Sequence, residues 1–90
     1  MGEIDIVAWH GPTLTFVEVK TRAASDYGPP EAAVDNEKRS RIERASRDYA
    51  RRADIPWQQT RFDVVSVVLG RPPRITWLQD AFGPKILADL

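Results

Sequence analysis

Hydrophobic and polar positions alternate along the first part of the chain and then change period. From Glu3 to Trp9 the alternation is that of a strand, with Ile4, Ile6 and Ala8 on one side and Glu3, Asp5 and Val7 on the other. His10-Gly11-Pro12 supplies turn chemistry, and Thr13 to Thr21, rich in β-branched and aromatic residues, makes a second strand. Two strands joined by so short a turn predict an antiparallel hairpin. Residues 23 to 30, with Ser25, Asp26, Gly28 and the pair Pro29-Pro30, read as a loop. A helix is expected from Asp35 or Asn36, either of which can cap it, because Ile42, Ala45, Tyr49, Ala50 and Ala53 recur at helical spacing; Pro56 ends it. Arg61 to Leu69 is an almost continuous apolar run, the pattern of a strand buried on both faces. After Gly70 and Pro72-Pro73, Arg74 to Leu78 makes a last strand, expected at an edge. The predicted order, β-β-α-β-β, is that of an α/β sheet with a helix packed across it, in a single domain over residues 1–90.

Composition narrows this picture. With 42% hydrophobic and 29% charged residues, the chain has the make-up of a globular domain, not of a disordered segment. A domain of this size buries only roughly 60–65% of the surface its unfolded chain exposes, so a thin stability margin is expected. Cysteine is absent, which excludes disulfides and thiolate zinc sites and fits a reducing compartment. The first ten residues lack the basic flank and apolar stretch of a signal peptide. The run from Val64 to Leu69, broken by Ser66, is far short of a membrane span. A cytoplasmic protein without membrane contact is therefore expected.

The formal net charge is zero, but its distribution is uneven. Lys38, Arg39, Arg41, Arg44, Arg47, Arg51 and Arg52 cluster on the expected helix, so a neutral total conceals a basic face suited to a phosphate backbone. The competing reading is a solvated face laced with ion pairs such as Glu43 and Arg47 at i,i+4 spacing.

The chemistry centres on Asp5 in the first strand and Glu18-Val19-Lys20 in the second. Residues two apart on a strand share a face, so Glu18 and Lys20 point the same way, and the hairpin returns Asp5 beside them. Two carboxylates about 5 Å apart repel by roughly 3 kcal/mol at an effective dielectric near 20. A hard divalent cation, Mg2+ or Mn2+, offsets that repulsion directly. Held by Asp5 and Glu18, such a cation would polarise a phosphoryl oxygen and acidify a bound water. Lys20 would orient that water or meet charge growing on the phosphate. In the plainer alternative, Glu18 and Lys20 form a solvated ion pair.

Other residues are given structural roles. Asp63, between Phe62 and Val64, is expected to anchor structure through hydrogen bonds or an arginine, not to join the catalytic set. His10, the only histidine, is expected to be solvated in its turn. Trp9, Trp57 and Trp77 can stack on bases but are expected to supply core area.

The segments Gly2-Glu3-Ile4-Asp5-Ile6-Val7-Ala8 and Phe16-Val17-Glu18-Val19-Lys20-Thr21-Arg22 closely resemble the YraN-type family of bacterial proteins. The likeness continues through Gly28, Glu31-Ala32-Ala33-Val34 and Lys38. It resumes at Arg61-Phe62-Asp63-Val64-Val65, Ile75-Thr76-Trp77 and Asp80-Ala81-Phe82. The resemblance implies a restriction-endonuclease-like fold of the PD-(D/E)xK type, related to Holliday-junction resolvases. It also implies that Asp5, Glu18 and Lys20 stand at the catalytic motif positions. Members of that family carry a helix and a short strand ahead of the Gly-Glu-Ile-Asp segment, with a further acidic residue on the helix. Against that pattern the chain is expected to be N-terminally truncated, its sheet uncovered on one side and open to a partner or a homodimer.

Two functional expectations follow. One is a metal-dependent endonuclease hydrolysing phosphodiester bonds in DNA, branched DNA included, with Arg22, Lys38 and Arg41 on the nucleic acid. The other is a catalytically inactive nuclease-fold module that binds nucleic acid or a protein partner.

Overall fold

The computed structural model describes residues 4–23 and 36–82. Four strands and one helix make a mixed α/β unit: β1 (Ile6–His10), β2 (Thr13–Arg22), α1 (Asn36–Arg52), β3 (Thr60–Val68) and β4 (Arg74–Phe82). The sheet order follows the chain, β1-β2-β3-β4. β1 and β2 pair antiparallel, β2 and β3 parallel, and β3 and β4 antiparallel. The parallel pair needs a crossover, and α1 lies within it. The loop expected after Ala23 and the capping candidate Asp35 lie outside the described residues.

The hairpin closes at His10 opposite Thr13. Gly11 takes φ +60 in the turn, a left-handed backbone that glycine adopts without steric cost. Strand β1 starts at Ile6, three residues later than expected from the alternation. The reason is local. Where the ladder stops, Asp5 Oδ2 accepts a hydrogen bond from the Val19 backbone N–H at 2.8 Å, so a side chain takes over from the backbone.

Residues that alternate along β2 and β3 divide the sheet into two faces. Leu14 and Phe16 from β2 and Phe62 and Val64 from β3 meet Ile42 of α1 in the core, with Ile4, Val7, Tyr49, Ile55, Trp57 and Leu78 packed around them. Phe16 and Phe62 lie side by side, ring centres 5.4 Å apart, with Tyr49 edge-on to Phe16 at 5.9 Å. Full burial of each such side chain stabilises the fold by about 1.5–3 kcal/mol.

Helix α1 stops three residues short of Pro56. Asp54 adopts φ +57, the Asp54 N–H donates to Arg51 C=O at 3.2 Å, and Ile55 N–H donates to Ala50 C=O at 2.8 Å. This pair of bonds satisfies the last carbonyls and turns Ile55 back onto the core.

Strand β4 runs to Phe82, beyond the Leu78 end read from the sequence. Its register with β3 shifts between Phe62 and Val64, and Asp80 there has φ +56. Such an irregularity hides a strand's second half from pattern reading. The face of the sheet turned away from α1 is apolar and open. Ile6, Ala8, Val17, Val65 and Trp77 line a depression of about 260 Å3 on it. Ile75, 67% exposed, extends that surface along β4; on this face β3 buries Asp63 fully but leaves Val65 and Val67 half-buried.

Candidate active site

The register of β1 on β2, Ile6 opposite Val17, brings Asp5 to the level of Glu18 one step further along the hairpin. Glu18 follows Leu14 and Phe16 on the helix side of β2 and is only 5% exposed. Its Oε1 meets two ammonium groups, Lys20 Nζ at 3.3 Å and Lys38 Nζ at 2.5 Å. Lys20 comes from the same strand, whereas Lys38 reaches over from the first turn of α1. The carboxylate of Glu18 holds the Lys38 ammonium above the ordinary lysine range; burial opposes the shift and the charge of Asp5 adds to it. Lys38 therefore senses both carboxylates.

The hydrogen bonds on the two carboxylates use Asp5 Oδ2 and Glu18 Oε1, so each acid keeps a second oxygen on which the described residues place none. Oxygen-only donors of this kind suit a hard divalent cation, which takes one or two carboxylates and keeps several waters. Among the described residues, no group of three or more His, Asp or Glu side chains gathers as a metal-binding set. Asp5 and Glu18 would hold such an ion as a pair.

The other candidates divide. Arg22 lies on the same strand face as Glu18 and Lys20, by two-residue spacing, and its Nε is buried without a hydrogen-bond partner among the described residues. Arg41 pairs with Glu37 at 3.1 Å on the helix surface. Farther along α1, Arg47 pairs with Glu43 at 3.2 Å, and Arg51 and Arg52 pair with Asp48 at 2.7 and 3.2 Å. The ion-paired reading of the helix therefore describes much of its basic side. Lys38 differs: expected near the strand that carries Glu18, it lies there, and its ammonium turns inward to that carboxylate.

Asp63 has the structural role expected of it. It is fully buried and accepts from Arg61 Nε and Nη2 at 2.8 and 3.0 Å, from Trp77 Nε1 at 2.7 Å and from the Asp80 N–H at 3.0 Å. Burial alone would raise its pKa, but the Arg61, Asp80 and Trp77 bonds outweigh it and hold the carboxyl below its ordinary value. His10 is exposed, as expected, at the end of β1. Its Nδ1 lies 2.9 Å from Arg61 Nη2 and its ring packs edge-on to Trp77 at 5.1 Å, so the cluster around Asp63 engages it. The tryptophans divide: Trp57 packs on Phe62 at the core as expected, but Trp9 and Trp77 are 57% and 48% exposed.

A family model described as "Uncharacterised protein family UPF0102" matches residues 1–67. The chain belongs to this family. A UPF0102 protein of Solibacter usitatus is 60% identical over 81 residues, covering 90% of this chain and 61% of its own length. One from Koribacter versatilis is 48% identical over 83 residues, covering 89% of this chain and 56% of its own. One from Alkaliphilus metalliredigens is 40% identical over 82 residues, covering 91% and 72%. The chain thus spans about 56 to 61% of the length of the first two UPF0102 relatives. Asp5, Glu18, Lys20 and Lys38 all fall inside the UPF0102 match. No helix among the described residues is long and apolar enough to cross a membrane.

Proposed function

We propose that this UPF0102 chain is a metal-dependent nuclease domain of restriction-endonuclease-like fold, acting on phosphodiester bonds in DNA. The observation that carries this reading is the hairpin register, which sets Asp5 level with Glu18 while Lys20 and Lys38 bring two ammonium groups to the same carboxylate. Asp5 and Glu18 would hold Mg2+ or Mn2+. When bound, the ion supplies Lewis acidity toward a phosphoryl oxygen and lowers the pKa of a coordinated water. Lys20, half-buried beside Glu18, holds a positive charge next to the carboxylates and positions the attacking water or meets the charge developing on the phosphate. Arg22, on the same face, extends the positive lining toward the nucleic-acid backbone.

A second reading has its own support. Glu18 is 5% exposed and already neutralised by two lysines, an arrangement a nuclease-fold module that only binds DNA or a protein can also carry. The experiment that separates them is calorimetric titration of Mg2+ and Mn2+ into the chain and into Asp5→Ala and Glu18→Ala, with cleavage of linear and branched DNA measured in parallel. Metal binding and cleavage, both lost in the folded variants, establish the nuclease reading. DNA binding with neither metal uptake nor cleavage establishes the second. In either case the open apolar face around Trp77 is where we expect a second copy of the chain, tested by sedimentation of Ile75→Ser, a residue 67% exposed on that face, against the wild type.

A further inference from the structure

We propose that Lys38 is a built-in competitor for the metal: its ammonium is the resident counter-ion of Glu18, and a divalent cation binds only by displacing it. The inference rests on the nuclease reading above, because it concerns the same carboxylates. Three observations carry it. Lys38 Nζ lies 2.5 Å from Glu18 Oε1, closer than Lys20 at 3.3 Å, so the cation nearest the buried carboxylate comes from outside its own strand. Asp5 stands level with Glu18 in the hairpin register, so the Lys38 ammonium on Glu18 lies beside the place where a cation shared by the two acids would sit. Lys38 also occupies the third position of α1, in the first helical turn. A cation there opposes the helix macrodipole, so the position gives the helix nothing, and its compensation comes from Glu18.

The physical consequence is exchange. A carboxylate 95% buried without a counter-ion would be costly, and Lys38 removes that cost while leaving the ion pair breakable. Lysine suits this role because its ammonium is a point charge on a flexible stem that can swing away, unlike the planar fork of arginine. A metal ion on Glu18 would meet the charge of both ammoniums; Lys20 stays on its strand beside the site, and the repulsion is relieved by the closer Lys38 swinging away. Apparent metal affinity is then set by how readily Lys38 leaves.

The test is titration of Mn2+ by calorimetry into the wild type, Lys38→Met and Arg51→Met, with folding verified by circular dichroism. Lys38→Met is expected to bind Mn2+ roughly tenfold more tightly than the wild type, because a positive charge beside the ion has gone. Arg51→Met, which removes an equal charge from the far end of α1, is expected to stay within about twofold of the wild type through screening. Equal or weaker binding by Lys38→Met overturns the inference and leaves the nuclease reading standing. So does an equal gain in Arg51→Met. Failure of both the wild type and Lys38→Met to bind Mn2+ overturns the two together. A second measurement needs no variant. In the wild type, the Lys38 side-chain 13Cε resonance is expected to shift in step with Mg2+ saturation. A resonance that stays fixed while Mg2+ binds overturns displacement.

Discussion

Glu18 and Asp63 are both buried acids on adjacent central strands, one residue apart in the β2–β3 register, yet they are held in opposite ways. Asp63 points to the open face and is saturated by a bidentate guanidinium, an indole N–H and a backbone N–H, all fixed by the strands that carry them. Glu18 points to the helix side, and the two lysine ammoniums on its Oε1 are carried on flexible stems. A carboxylate whose donors are rigid is a structural anchor. One whose donors can leave is available for chemistry. Burial and charge alone do not separate the two cases; the kind of donor does.

The largest effect that would break the contrast is at the anchor. Asp63→Ala strands the Arg61 guanidinium, the Trp77 indole and the Asp80 N–H, and is expected to cost about 3–5 kcal/mol in urea unfolding. Glu18→Gln keeps the shape of the side chain and removes its charge, for an expected loss of about 1–3 kcal/mol. Its distinguishing readout is elsewhere: Mn2+ should raise the melting temperature of the wild type and leave that of Glu18→Gln unmoved. If Glu18→Gln proves as damaging as Asp63→Ala and metal stabilises neither protein, Glu18 is a second anchor and the contrast fails.

Acid titration sharpens the same comparison. A carboxyl whose folded pKa is depressed contributes stability that is present above its unfolded value and lost as pH falls. Asp63 is such a group, so unfolding free energy should decline as the pH drops below the ordinary aspartate value of 3.8, and Asp63→Asn should flatten that acid limb. The smallest effect belongs to the helix surface. Arg51 is 80% exposed in its pair with Asp48, and Arg51→Ala is expected to change stability by less than about 0.5 kcal/mol.

Much of the fold could be read from local pattern. The hairpin follows from strand periodicity around Gly11. The helix between β2 and β3 follows from the spacing of Ile42, Ala45 and Tyr49, and the edge position of β4 from the break at Gly70 to Pro73. Boundaries were less legible where a side chain replaced the backbone, as Asp5 does at the start of β1, or where a left-handed residue redirected the chain, as at Asp54 and Asp80. For the site, two-residue spacing put Glu18 and Lys20 on one face, and the short turn returned Asp5 to their level. The order of elements puts Lys38 near the strand of Glu18, but its bond to that carboxylate spans twenty residues and no local pattern encodes it.

By itself, then, the sequence determined which residues alternate, where turns must fall, and that two carboxylates and a lysine share one end of a hairpin. These are consequences of backbone geometry over a few residues. Only the tertiary structure decided which cation reaches Glu18, which donors saturate Asp63, and which face of the sheet α1 covers. Those outcomes depend on how distant segments pack. A lysine in a run of basic residues becomes the counter-ion of a buried acid only when the helix crossing sets it there.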